Sequence, residues 1–147
     1  MAKANFSDKD QAQIVAAIQL AEKETSGEIR VHIESKLATD PVERAKAVFF
    51  ELGMHQTAQK NAVLIYLAYN DHKLAIIGDS GIHEKVGDNF WQAEKDLLIT
   101  HFKKNEYALG LSIAIEQVGE KLKAHFPFQK DDKNELSDTI SFGGQHD

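Results

Sequence analysis

Cysteine is absent from this chain. That removes disulfides, thiolate zinc sites, iron–sulfur clusters and cysteine nucleophiles from consideration. Proline is scarce, with Pro41 and Pro127 the two in the chain. No repeat or low-complexity linker divides the sequence. No apolar run is long enough for a signal peptide or a membrane span. Lys and Arg form no run, and 23 acidic residues outnumber 17 basic ones, a net charge of −6. That balance opposes adhesion to phosphate backbones and to anionic lipid. The expectation is a protein with no nucleic-acid partner and no membrane span, resident in the cytoplasm.

What is present suits one globular domain. A chain of 147 residues is of single-domain length. Its 42% hydrophobic and 27% charged residues are ordinary shares, enough for a core that needs no staples.

The hydrophobic pattern orders the elements. Ser7 caps a first helix, with Asp8 and Asp10 in its first turn. Ile14, Val15, Ile18 and Ala21 form its stripe, and Thr25-Ser26-Gly27 ends it. Ile29, Val31 and Ile33 then alternate with Glu28, Arg30, His32 and Glu34, a strand with one polar face. Asp40-Pro41-Val42-Glu43 starts a second helix, buried through Val42, Ala45, Phe49 and Leu52 and closed by Gly53. Ala62 to Ala68 is continuously apolar and reads as a central strand covered on both faces. Asn70-Asp71 turns the chain into Leu74-Ala75-Ile76-Ile77, completing a hairpin.

After Gly78-Asp79-Ser80-Gly81 a helix opens near Asp88 and carries Phe90, Trp91, Leu97, Leu98 and Phe102. A last helix carries Ala108, Leu111, Ile115, Val118 and Leu122. Residues 1–6 form a short N-terminal tail, 7–127 the domain and 128–147 a polar C-terminal tail. Thr139-Ile140-Ser141-Phe142 reads either as an edge strand or as tail, and Gly143 to Asp147 should fray.

The expected fold class is therefore α/β. The first strand, the Pro41 helix and the second strand make a right-handed βαβ unit with parallel strands. The third strand is antiparallel to the second. Four helices flank this small mixed sheet.

Strand direction places side chains. Parallel strands one and two begin at the edge where strand three ends. Glu28, Asn61 and Asp79 should share that rim. The Pro41 helix brings Gly53, Met54 and His55 there, and the segment from Ser80 to Asp88 brings His83, Glu84 and Asp88. Clustered carboxylates repel unless a proton or cation lies between them. Carboxylate, amide and carbonyl oxygens suit Ca²⁺ or Mg²⁺. The expected metal ligands are Glu28, Asn61, Asp79, Glu84 and Asp88, although the spacing is not that of an EF-hand.

The other chemistry-bearing residues have ordinary readings. Asp79 and Asp88 also read as turn or helix caps, and Glu84 as a solvated carboxylate. His55 and His83 could join a zinc or nickel site, but no HExxH or HxH occurs. His32, His101 and His125 read as surface histidines. Ser26 and Ser80 lie near the rim without a nucleophile elbow. No phosphate-cradling glycine loop follows a strand. Trp91 and the phenylalanines sit at helical core positions, not on a base-stacking surface.

Ordered motifs carry a resemblance. Thr25 to Val31, Gly53-Met54-His55, Asn61 to Leu67, Ile76 to His83 and Val86-Gly87-Asp88 are similar to the TPM domain family, in its soluble stand-alone bacterial branch. The resemblance runs from about Ser7 to Phe126 and continues at Asn134-Glu135-Leu136 and Ile140 to Gly143. It implies a Rossmann-like α/β sandwich with an acidic, cation-binding pocket at a sheet edge. The matching pocket positions are Asn61, Asp79 and Asp88. Glu28 and Glu84 come from the topology argument alone.

The resemblance also implies a phosphatase label. Two functions follow as expectations. One is a divalent-cation-binding module that meets a protein partner through a cation-ordered Ser80–Asp88 loop. The alternative is a metal-dependent acid phosphatase acting on a small phosphoester substrate. Fold and family do not by themselves fix the chemistry.

Overall fold

The computed structural model describes residues 6–37, 39–128 and 136–143. The tail motif at Asn134 and Glu135 and the expected fraying from Gly144 lie outside the described residues.

Helix α1 (Asp8–Glu22) opens with a capping box. Asp10 N–H donates to Ser7 Oγ at 3.0 Å, and Ser7 N–H donates to Asp10 Oδ2 at 3.2 Å. Strand β1 (Glu28–Glu34) follows, then α2 (Pro41–Glu51). Asp40 Oδ2 accepts from the N–H groups of Val42 and Glu43, and Pro41 occupies the first turn, where no intrahelical donor is lost. Gly53 adopts φ +72°, the left-handed stop expected after α2, and leads into a 3₁₀ turn, Met54–Gln56.

Strands β2 (Ala62–Ala68) and β3 (Lys73–Gly78) form the hairpin. Helices α3 (Ser80–Lys103) and α4 (Tyr107–His125) precede a three-residue strand, β4 (Ser141–Gly143). The sheet order is β3-β2-β1-β4. β1 runs parallel to both β2 and β4, and β2 runs antiparallel to β3. The tail therefore supplies a fourth strand, which settles the choice left open at Thr139–Phe142 and corrects the fraying expected at Gly143, held here in register with Glu34.

Every residue of β2 is buried, as its apolar run requires. One face of the sheet packs Ile29, Val31, Ile33, Val63, Ile65 and Leu67 against α1, α3 and α4. The other packs Leu64, Tyr66 and Ala75 beneath α2 through Ala45, Val48 and Phe49. Val42 is not part of that buried face: it is 37% exposed, and Val48 takes the inward position.

Two further expectations need correction. The polar side of β1 is not a solvent face. Glu28, His32 and Glu34 are buried, and the polar atoms of His32 and Glu34 find partners in Arg44, Tyr66 and Ser141. His32 is thus an interior histidine. And α3 begins at Ser80, capped by Asp79, so Ser80–Asp88 is not a loop. Gly87, at φ +75° and ψ 175°, breaks the helical path there, and Asp88 opens its second stretch.

Candidate functional site at the β1–β2–β3 rim

The rim exists where strand direction put it. Glu28 pairs in register with Ala62, and Glu28 N–H reaches Asn61 O at 3.4 Å. Asp79 N–H donates to Ala62 O at 2.9 Å. Asp79 therefore stands opposite Ala62, one residue along from Asn61, at the sheet's end. Gly81 presses this corner closed: a Cβ there would stand 2.2 Å from Gln59 O and 2.5 Å from Lys60 O. Only glycine lets α3 start so close to the strand that leads into β2.

The polar chemistry of the corner is incomplete. Asn61 is 1% exposed, and its amide nitrogen reaches Ser26 Oγ at 3.4 Å. Its Oδ1 is buried without a hydrogen bond. Asp79 Oδ1 accepts from Ser80 N–H at 2.7 Å, whereas Asp79 Oδ2 is buried without a donor. Buried acceptors are nearly always satisfied, so two orphan oxygens on adjacent strands are a chemical signal. Ser26 joins them, with its Oγ 3.5 Å from Gln59 Oε1.

The remaining expected ligands are placed differently. Glu28 is buried on the α2 side of β1. Glu84 stands exposed on α3. The Asp88 side chain is 95% exposed and faces His83 Nε2 at 3.5 Å. His83 Nδ1 accepts from Trp91 Nε1 at 3.0 Å, which leaves the ring proton of the neutral form on Nε2, toward Asp88. His83 is thus occupied by Trp91 and Asp88. His55 stacks on Phe50 with ring centroids 4.1 Å apart. Among the described residues, no three His, Asp or Glu side chains are grouped to hold a metal ion. Any cation here would draw on amide, carbonyl or water oxygens as well as carboxylate.

Two carboxylates near the rim escaped the sequence argument. Glu22, at the end of α1, folds back so that its Oε2 accepts from Ile29 N–H at 2.8 Å. Burial, then a hydrogen bond with Asp138, pushes the Glu22 carboxyl up to about 10, so it is protonated at neutral pH. Glu22 had a weak signal, as the last helical position before the Thr25–Gly27 stop. Asp138 had none, since it arrives from the tail.

The TPM domain family matches residues 2–121 of the chain. No curated protein matches. Among solved structures, the NMR structure of BA42 protein from the psychrophilic bacterium Bizionia argentinensis is 43% identical, with a TM-score of 0.87 over 94% of this chain and 95% of that one. The N-terminal domain of cg2496 protein from Corynebacterium glutamicum gives a TM-score of 0.63 at 17% identity, over 97% of this chain and 82% of that one. The N-terminal domain of a P. gingivalis protein gives 0.65 at 17% identity, over 82% and 78%. The last two are similar in fold alone.

Proposed function

Starting from a chain that belongs to the TPM domain family, we propose that the rim binds a divalent cation, Ca²⁺ or Mg²⁺, and that the domain acts as a binding module. The observation that carries this reading is the pair of orphan buried oxygens, Asn61 Oδ1 and Asp79 Oδ2. Both are hard oxygen donors of the kind these cations take. A cation between them would satisfy both and offset the desolvation of each.

The donor set also fixes the expected strength. Affinity in oxygen sites rises with carboxylate count. Among the expected ligands, Asp79 is the one carboxylate with an orphan oxygen, and Glu22, whose Oε1 is also unpaired, is held protonated, so binding is weak and water completes the shell. Glu28, Glu84 and Asp88 enter as outer carboxylates that act through water or through the local field. Binding would tie the end of β2 to the start of α3 and steady the first turn of that helix. A protein partner would then read the ordered α3 start.

A metal-dependent acid phosphatase is the second reading. It is favoured by Ser26 Oγ, a hydroxyl beside Asn61 at the rim. A bound cation would supply charge neutralisation at the phosphoryl oxygens.

One experiment tests the first reading and a second separates the two. Metal-stripped protein is titrated with Ca²⁺ and then Mg²⁺ while amide shifts are followed by NMR. Shifts centred on Asn61, Asp79 and Ser80 support the site, and their absence at millimolar cation defeats both readings. Hydrolysis of p-nitrophenyl phosphate by the loaded protein, lost in Asp79→Asn, would favour the phosphatase over the binding module.

A further inference from the structure

β3 is the outermost strand of the sheet, and six residues of it lie at that edge. Antiparallel ladders alternate between residues that face the partner strand and residues that face away. Asp79 N–H bonds Ala62 O, and Gly78 is in register with Val63. Ala75 and Ile77 therefore turn their N–H and C=O groups to β2. Leu74, Ile76 and Gly78 turn theirs outward. Among the described residues, no further backbone bond meets those three.

An open edge invites pairing with another chain, and proteins usually blunt it. The edge at β4 is short, at three residues. The edge at β3 is left open but walled. A groove of about 560 Å³ runs along it. α2 supplies Val42 and Lys46, and α3 supplies His83, Asp88, Trp91 and Lys95. The two helices pack on opposite faces of the sheet. An added strand would lie between them, and its alternate side chains would meet the two walls in turn.

Charge selects the occupant. The groove holds Lys46 and Lys95 against Asp88 alone, and Asp88 already faces His83. It is a locally positive site on a chain of net charge −6. A second copy, pairing β3 with β3, would set one locally positive groove against another, without the complementary charge that an acidic segment brings. We propose that the β3 groove captures an extended acidic segment of a partner protein by strand addition. The partner's backbone pairs with Leu74, Ile76 and Gly78. Neighbouring acidic residues, which point to opposite faces, reach Lys46 on one wall and Lys95 on the other. Neither Asn61 nor Asp79 lines the groove, so this inference stands without the cation.

The probe is a capped hexapeptide of threonine and valine with two consecutive central glutamates. Binding to ¹⁵N-labelled protein is followed by amide shifts and hydrogen exchange. The expected result is shifts along 73–78, with exchange slowed at Leu74, Ile76 and Gly78. The double variant Lys46→Glu, Lys95→Glu should weaken binding by at least about tenfold, since both attractive contacts become repulsive. Its far-UV spectrum checks that the fold is kept. A peptide N-methylated at alternate positions should not bind. The proposal is overturned if the N-methylated peptide binds as well as the parent, or if millimolar parent peptide shifts nothing along β3. It is equally overturned if the three outward amides of the free protein already exchange as slowly as Ala75 and Ile77. A concentration-dependent dimer with β3 protected would give the groove to a second copy instead.

Discussion

Glu34 grips Arg44 through two parallel hydrogen bonds, Nε to Oε2 at 2.8 Å and Nη2 to Oε1 at 2.9 Å. The carboxylate is 2% exposed and lies at the end of β1, while the guanidinium comes down from α2. Tyr66 Oη donates to the same carboxylate, and His32 Nε2 lies 3.0 Å from it. The other nitrogen of His32 meets Ser141 Oγ at 2.8 Å, so the network runs on into β4. One buried charge thus ties together the central sheet, its covering helix and the strand added by the tail.

Removing Arg44 should therefore cost more than an exposed ion pair would. Arg44→Met leaves Glu34 charged and buried with one cationic partner fewer. Breaking a buried pair typically costs ~3–5 kcal/mol, and the partly exposed Arg44 brings the expectation down to about 2–3 kcal/mol. Urea denaturation measures it. A loss under ~0.5 kcal/mol would mean that the pair behaves like a surface bridge.

Acid stability follows from the same carboxylate. Burial by itself would raise the Glu34 carboxyl, but hydrogen bonds from Arg44, Tyr66 and His32 overcome it and bring the group down to about 2. Its folded value lies below its unfolded one, so its contribution is full above about 4.5 and is lost as pH falls toward 2. Unfolding free energy measured from pH 5 to pH 2 should fall in wild type, and the slope should flatten in Glu34→Gln. An unchanged slope would place the acid transition elsewhere.

Glu94 should act in the opposite direction. It is 4% exposed beneath α4, where burial pushes its carboxyl up to about 7. Gln117, with its amide nitrogen turned toward it, donates to both carboxyl oxygens. Here the folded value is the higher one. The contribution of Glu94 to stability is greatest below about 4.5 and declines as pH rises to about 7. Glu94→Gln removes the ionisation at nearly the same volume. It should raise the melting temperature at pH 8 and have little effect at pH 4. Equal effects at both pH values would show that packing, and not charge, governs the site.

These networks explain which parts of the fold could be read in advance. The fully apolar run of β2 specified a central strand, and the Asp40–Pro41 start specified α2. Strand directions alone placed Asn61 beside Asp79. The polar side of β1 was misread because alternation cannot distinguish a face in water from one whose partners arrive by folding. Arg44 reaches Glu34 from helix α2, and Ser141 reaches His32 from the far end of the chain. The start of α3 was hidden because Gly81 and Gly87 weaken a helical pattern. Gly81 is there for close packing and Gly87 for a break in the path. The β3 groove was invisible for a similar reason, since Lys46 and Lys95 belong to different helices.

Gly81 gives a direct test of that packing argument. A methyl group at this position would collide with the Gln59 and Lys60 carbonyl oxygens, both backbone atoms that cannot swing aside. Gly81→Ala should destabilise by about 1–3 kcal/mol, the usual range for overpacking, despite the better helix propensity of alanine. Thermal denaturation reads the result. A stabilised variant would show that the corner has slack and that α3 can move away from the rim.

The cation reading makes its sharpest prediction through Asp79, because that residue has two roles that substitution can separate. Its Oδ1 caps α3 through Ser80 N–H, and its Oδ2 is the orphan oxygen at the rim. Asparagine is as good an N-cap as aspartate, so Asp79→Asn keeps the helix start while removing the charge a cation needs. A cation that binds only the folded state stabilises it by mass action, by about 2.7 kcal/mol at one hundred times its dissociation constant. Saturating Ca²⁺ should therefore raise the melting temperature of wild type and leave that of Asp79→Asn where it is without Ca²⁺. Asp79→Ala separates the roles further: it loses the cap as well, so it should melt lower than Asp79→Asn even without cation, by an amount worth ~1 kcal/mol. If wild type and Asp79→Asn gain equally from Ca²⁺, the ion is stabilising the fold from somewhere other than the rim.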